Sequence, residues 1–153
     1  MAAAPPIKLE RIDGESVSLS ELLGRVVLMS LWASWRLPCQ RELPMSERLA
    51  GMLKPSDLEI AAVSVDRDGK AAVESLMKKF GVRRLRPFLD PDGRVAKRID
   101  DDASTPFVLY GMPISYILDR GGRAAGYVAG EMDWTDDQAL ALLRHYALSR
   151  WPP

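Results

Sequence analysis

A nearly unbroken apolar run, Val26-Val27-Leu28-Met29-Ser30-Leu31, constrains the fold more than any other stretch of the chain. Apolar residues at almost every position, rather than every second one, suit a strand covered on both faces. The run leads into Trp32-Ala33-Ser34-Trp35-Arg36-Leu37-Pro38-Cys39, and a helical pattern opens near Arg36. A strand, a short turn and a helix with cysteine in its first turn form an arrangement suited to thiol chemistry. Such sites ordinarily hold two cysteines spaced Cys-x-x-Cys. Here the first of those positions is Arg36, and one sulfur, Cys39, remains.

The 153 residues amount to about one domain. With 47% apolar and 27% charged residues, the chain can bury a core. Lys plus Arg and Asp plus Glu both number 21, so the formal net charge is zero. That balance gives no footing for nucleic acid or an anionic membrane surface as a partner. The basic run Arg83-Arg84-Leu85-Arg86 reads as a solvated loop among acidic neighbours. One Cys excludes an internal disulfide and a cysteine-based zinc cluster, and the single His145 argues against a histidine metal site. No cofactor or bound metal is therefore expected. No run approaches the roughly 20 apolar residues that span a bilayer. The opening Met-Ala-Ala-Ala-Pro-Pro lacks the basic and apolar regions of a signal peptide.

Along the chain, Ile7-Lys8-Leu9-Glu10 and Val17-Ser18-Leu19 flank Asp13-Gly14 and read as a hairpin. Ser20 to Gly24 reads as one helical turn. The buried strand covers Val26 to Ala33, and a helix follows from Arg36 to about Leu53 with Pro44 inside it. Pro55-Ser56-Asp57 turns into a second apolar strand, Leu58 to Val65. A helix over Lys70–Phe80 ends at Gly81. Phe88 to Gly93 reads as a short extended piece and a turn, and Arg94 to about Ile99 as a small helix before a polar break at Asp100–Pro106. Ile114–Leu118 and Ala124–Ala129 flank Asp119-Arg120-Gly121-Gly122 as a second hairpin. Thr135-Asp136-Asp137-Gln138 is a capping-box pattern that opens a terminal helix, and Trp151-Pro152-Pro153 is expected to fray. This order predicts an α/β fold in one domain, with its core over about residues 7–146 and helices on both faces of a mixed sheet.

Several of these pieces share an order and spacing: Leu31-Trp32-Ala33-Ser34-Trp35; Pro38-Cys39 with Glu42 and Pro44; Val63-Ser64-Val65-Asp66; Leu89-Asp90-Pro91-Asp92-Gly93; Gly111-Met112-Pro113; Ile117 to Gly122; and Gly130-Glu131-Met132-Asp133-Trp134. Together they resemble the thioredoxin superfamily, and within it the TlpA/ResA-like thiol–disulfide oxidoreductases. The resemblance implies a thioredoxin-like fold, with an N-terminal β-hairpin and Lys70–Asp102 as a central insertion. It also implies that Arg36 holds the place of the nucleophilic cysteine and Cys39 that of the resolving one. Pro113, after Met112, holds the place of a cis-proline that helps seat a substrate chain as an added strand. A periplasmic or otherwise extracytoplasmic setting, with room for a membrane anchor in a full-length form, follows from the resemblance alone. So do a monomeric state and a protein client bearing a disulfide or an extended segment.

The departure falls on the reacting atom. Thiolate attack needs a reachable sulfur of low pKa and a second thiol to release the product. A guanidinium is always protonated and is no nucleophile, so two-sulfur turnover by this chain alone is not expected. Leu37 and Ser30 stand where thioredoxin itself carries Gly and a buried Asp. Cys39 can act as a lone thiol, or it can be a small buried hydrophobe. Cys39 and Met112 can be soft ligands for Cu(I), or Met112 can simply line the groove. Trp32 is expected in the core and Trp35 half-exposed beside the site. Glu42 and Asp66 read as solvated or capping carboxylates, with proton relay as the alternative; His145 is assigned no chemistry. Two classes of function stay open. One is a pathway redox protein working with one sulfur. The other is a binding module whose groove (Trp35, Leu37, Pro38, Met112, Pro113 and Ile114) holds a client segment or a metal-site protein.

Overall fold

The structure, a computed structural model, describes residues 8–22, 24–54, 58–98 and 107–148. Ile7, the turn at Pro55–Asp57, Ile99, the polar break at Asp100–Pro106 and the tail Trp151–Pro153 lie outside the described residues.

In chain order, β1 (Lys8–Arg11) and β2 (Ser16–Ser18) form the hairpin, and a 3-10 turn covers Leu19–Leu22. The core unit follows as β3 (Val26–Trp32), α1 (Leu37–Met52), β4 (Leu58–Ser64), α2 (Gly69–Phe80) and β5 (Phe88–Leu89). After it come β6 (Ala96–Arg98), β7 (Phe107–Leu109), β8 (Ile114–Leu118), β9 (Ala124–Ala129) and α3 (Asp137–Leu148). The main sheet runs β2-β1-β5-β4-β3-β8-β9. It is mixed: β3–β4 and β4–β5 are parallel, joined by crossover helices, while β3–β8, β8–β9 and β1–β5 are antiparallel.

All seven residues of β3 are buried, as its composition requires. Alternation along the strand sends Val27, Met29 and Leu31 into one apolar layer, with Ala61, Val63, Phe88 and Ile114. Val26 and Leu28 enter the other, where Leu49 of α1 and Leu140 and Leu143 of α3 meet them. Trp32, Ala62 and Ile60 extend that second side toward Leu43 of α1 and Val73 and Leu76 of α2. The helical cover is therefore uneven. The three α-helices share one face, and the other is covered by Leu22 of the 3-10 turn together with Val95, Ala96 and Phe107.

One predicted helix is absent. Arg94 to about Ile99 was expected to be helical from its composition, yet Ala96–Arg98 forms β6, paired in parallel with β7. The Asp90 carboxylate accepts the backbone N–H groups of Arg94 (2.8 Å), Val95 (3.0 Å) and Ala96 (3.3 Å), and Phe107 N–H bonds to Val95 O. A helix would offer that carbonyl to the N–H four residues on, so its capture by the neighbouring β7 strand holds the segment extended.

Two smaller expectations are also corrected. The side-chain cap near the start of α3 is Asp136, which accepts from Gln138 N–H at 3.2 Å, while the Thr135 hydroxyl donates to Asp133. The loop Arg83–Arg86 is tied down rather than merely solvated. Glu47 accepts from the N–H groups of Arg83, Arg84 and Leu85, and Arg86 pairs with Asp13 and Glu15. Among the described residues no helix is long and apolar enough to cross a membrane.

Asp90→Ala should strip three backbone donors of their partner and lower stability by about 1–3 kcal/mol, read as a fall in the urea midpoint. A midpoint shift within error would mean that those donors find other acceptors.

Candidate functional site

The site is assembled where β3 and β4 end side by side, because parallel strands deliver their C-termini to one edge. Asp66, just beyond β4, accepts from Ser34 N–H at 3.0 and 3.1 Å, from Ser34 Oγ at 2.7 Å and from Ser64 Oγ at 2.6 Å. Val65 N–H adds a bond to Trp32 O. Together these bonds lock the turn that leads into α1. Asp66 is thus a capping carboxylate with its oxygens already satisfied, and it is poorly placed to relay protons.

The locked turn puts Arg36 at the N-cap of α1, in extended conformation and with no side-chain capping bond. Its carbonyl accepts from Gln40 N–H at 3.0 Å, so the helix starts normally despite the lost cap. The guanidinium lies over the Trp35 ring, 5.5 Å from its centroid. Trp35 is 67% exposed, more than the half-exposure expected, and Leu37 is 65% exposed. Trp32 belongs to the core, as expected.

One helical turn on, Cys39 faces inward and is 2% exposed. Burial pushes its thiol up to about 11, with the charges of Glu42 and Asp66 adding to the rise; the Ala33 N–H and Arg36 oppose it. An exposed sulfur this close to Arg36 would be a thiolate candidate, but a buried one behaves as a small hydrophobe.

Glu42 is the surprise of the site. A solvated or capping role was the simpler expectation, yet the carboxyl is buried, accepting only long bonds from Ser115 Oγ (3.5 Å) and Met132 N–H (3.4 Å). Burial pushes its pKa up to about 7. Helical spacing from Cys39 turns it into the core, and no turn donor lies within reach to keep it at the surface. Ser30, Cys39, Glu42, Ser46 and Pro113 surround a gap of ≈ 10 Å³, the lower limit for a single water.

The opposite wall is the loop before β8, where the Met112–Pro113 peptide is cis. Of the expected groove residues, Trp35 and Met112 line an open cleft of ≈ 910 Å³, and Arg36, at the place of the missing nucleophile, lines it with them. Leu37 stands exposed at the helix start and Pro38 is half-buried. Pro113 is buried against the small gap instead. Ile114 is corrected outright: its side chain is fully buried, because β8 pairs it with Leu31 and Ala129 and turns it into the core. Only its backbone neighbours the site. The sequence reading missed Arg67, Asp92 and Tyr110, which also line the cleft. Tyr110, two positions before Met112, carried the one usable hint.

Cys39 and Met112 do share an apolar cluster. The burial that keeps the sulfur protonated works against the thiolate a soft metal ion needs. Among the described residues no group of three or more His, Cys, Asp or Glu side chains is placed to hold a metal.

Comparison with known proteins gives a consistent picture. The sequence pattern of the AhpC/TSA family matches residues 1–124. The thiol-disulfide oxidoreductase ResA of Bacillus subtilis is 30% identical over 129 residues, which are 84% of this chain and 66% of that protein. The ResA of Geobacillus kaustophilus is 26% identical over 135 residues, 88% of this chain and 72% of its own length. The chain thus spans about two thirds of the length of these relatives. Among solved structures, a candidate DsbE-type thiol:disulfide interchange protein from Chlorobium tepidum superposes with TM-score 0.73 at 26% identity, covering 96% of both chains. The exposed lipoprotein thioredoxin of Streptococcus pneumoniae superposes with TM-score 0.73 at 22% identity, covering 91% of this chain and 98% of that one, a likeness of fold.

Two measurements follow from the buried groups. Glu42 holds its proton in the folded state up to about pH 7 and loses it near 4.5 when unfolded, so folding stability should fall as pH rises between those values and level off above. Glu42→Gln should match the wild type near pH 5 and exceed it at pH 8 by on the order of 3 kcal/mol in urea titrations; parallel pH profiles would show that the carboxyl is not buried as described. Alkylation of native Cys39 at pH 8 should run roughly a hundredfold slower than in the unfolded chain, and equal rates would mean an accessible sulfur.

Proposed function

The chain belongs to the AhpC/TSA family, on its thioredoxin-fold, TlpA/ResA-like side, and from that membership we propose a protein of a thiol–disulfide exchange or cytochrome-assembly pathway that holds its client without turning it over. The pairing of a guanidinium at the N-cap of α1 with a sole thiol, on a cysteine that is 2% exposed, carries this reading. Disulfide exchange begins when a thiolate attacks one sulfur, expelling the other as thiolate, and ends when a second thiol repeats the step on the mixed disulfide. Arg36 supplies no electron pair for the first event. Cys39, buried and protonated at neutral pH, is poorly placed for either event.

The elements that would seat a polypeptide are the exposed Trp35 ring, the exposed Leu37 and the half-buried Met112 beside the cis-Pro113 loop. An extended client segment is the occupant this surface suits. The names of the relatives support thiol–disulfide chemistry as the setting of such a role, and an extracytoplasmic location, which the family resemblance implies, is part of the same proposal. Neither a lone reactive thiol nor a Cu(I) site formed by Cys39 and Met112 draws support from the buried, protonated sulfur.

Reduction of insulin by this chain with dithiothreitol should not exceed the uncatalysed background, and multiple turnover would defeat the proposal. Arg36→Cys should form a disulfide with Cys39, seen as the loss of both titratable thiols on oxidation, and should bring at least weak reductase activity. An Arg36→Cys protein that forms the disulfide and stays inactive would place the loss elsewhere in the site.

A further inference from the structure

We propose that the cleft recognises a carboxylate: its client segment carries a single Asp or Glu side chain, which the Arg36 guanidinium grips at the position where a dithiol enzyme would present its attacking sulfur. This inference rests on the reading of the cleft as a client groove and names what that groove selects.

Arg36 is half-buried, lines the cleft, and forms no ion pair among the described residues. A guanidinium lying over an indole ring is oriented by that contact while its in-plane N–H donors stay available. Those donors match the two oxygens of a carboxylate, the contact for which the group is best shaped. The surroundings favour the same ligand. Arg36 sits at the start of a 16-residue helix that has neither a side-chain cap nor an acidic residue in its first turn. A cation there is repelled by the helix dipole, and a client carboxylate relieves both charges at once. Arg67 lines the same cleft and also has no acidic partner among the described residues.

The carboxylates of the cleft wall sharpen the specificity. Asp66 and Asp90 are satisfied by internal donors, as described above. Asp68 and Asp92 are not engaged in ion pairs among the described residues and also open on the cleft. With Arg36 and Arg67 set among four aspartates the cleft wall carries more negative than positive charge, which repels a run of acidic residues and leaves the Arg36 guanidinium as the one place for a single acidic side chain. An acidic residue within a passing chain, rather than a chain terminus, fits a groove that seats an extended segment beside the Met112–Pro113 loop.

The test uses the full chain and fluorescence anisotropy with short, cysteine-free, C-terminally amidated peptide pools that differ only at a central position, Glu or Gln. The Glu pool should bind roughly tenfold more tightly than the Gln pool. That preference should vanish in Arg36→Gln and survive in part in Arg36→Lys, a pattern that a merely structural role for Arg36 would not produce. A pool with a run of central Glu residues should gain nothing over a single Glu. Equal affinity for Glu and Gln in the wild type, persistence of the preference in Arg36→Gln, or a preference that follows a free peptide C-terminus would overturn the inference while leaving the client groove intact. Failure of every pool to bind would remove the client groove itself, and the inference with it.

Discussion

The Asp66 carboxylate ties together the two strand ends on which the site is built. It accepts from the Ser34 backbone and hydroxyl on one side and from the Ser64 hydroxyl on the other. Parallel strands alone leave the turn after β3 free to adopt several conformations. The buried carboxylate selects the one in which α1 opens at Leu37, with Arg36 outside the helix and Cys39 within it. A carboxyl group at this depth is tolerable only because its oxygens are filled with donors. The same condition removes it from proton chemistry, so a residue that reads as a candidate relay in a list becomes a structural fastener in three dimensions.

From that fixed point the site divides by depth. Below the surface lie Cys39, Glu42, Ser30 and Ser46 around a gap of ≈ 10 Å³, where low polarity holds both titratable groups neutral over much of the pH range. Above it lie Trp35, Arg36, Leu37 and Met112, open to solvent and to a ligand. A dithiol enzyme needs a continuous path between such layers, since one sulfur attacks from the surface and the other resolves from beneath. On the proposed reading, a guanidinium in the upper position leaves the layers chemically uncoupled and recognition becomes the task of the exposed layer.

Much of the fold was legible because the relevant signals were local. The apolar runs at Val26–Leu31 and Leu58–Val65 became β3 and β4, the Asp119–Gly122 turn joined β8 to β9, and Gly81 ended α2 in a left-handed conformation. The error at Arg94–Ile99 has a non-local cause. β7 pairs beside Ala96–Arg98 and Phe107 N–H takes the Val95 carbonyl that a helix would have used, and no propensity scale registers a neighbour brought in by the fold. Ile114 failed as a groove residue for a related reason: closeness to Pro113 in sequence does not specify to which face of the sheet a side chain turns.

What the amino-acid order determined by itself is the identity of the groups at the strand–helix junction. Residue 36 is a permanent cation, residue 39 is the sole thiol, and no rearrangement of the chain can supply a second one. What only the tertiary structure decided is how those groups behave. Burial under α1 raises the Cys39 thiol and the Glu42 carboxyl, because desolvation depends on everything packed around an atom rather than on its neighbours along the chain. The placement of the half-buried Arg36, lying over Trp35 with no carboxylate paired to it among the described residues, was likewise settled by which side chains the fold brought near and which it kept away.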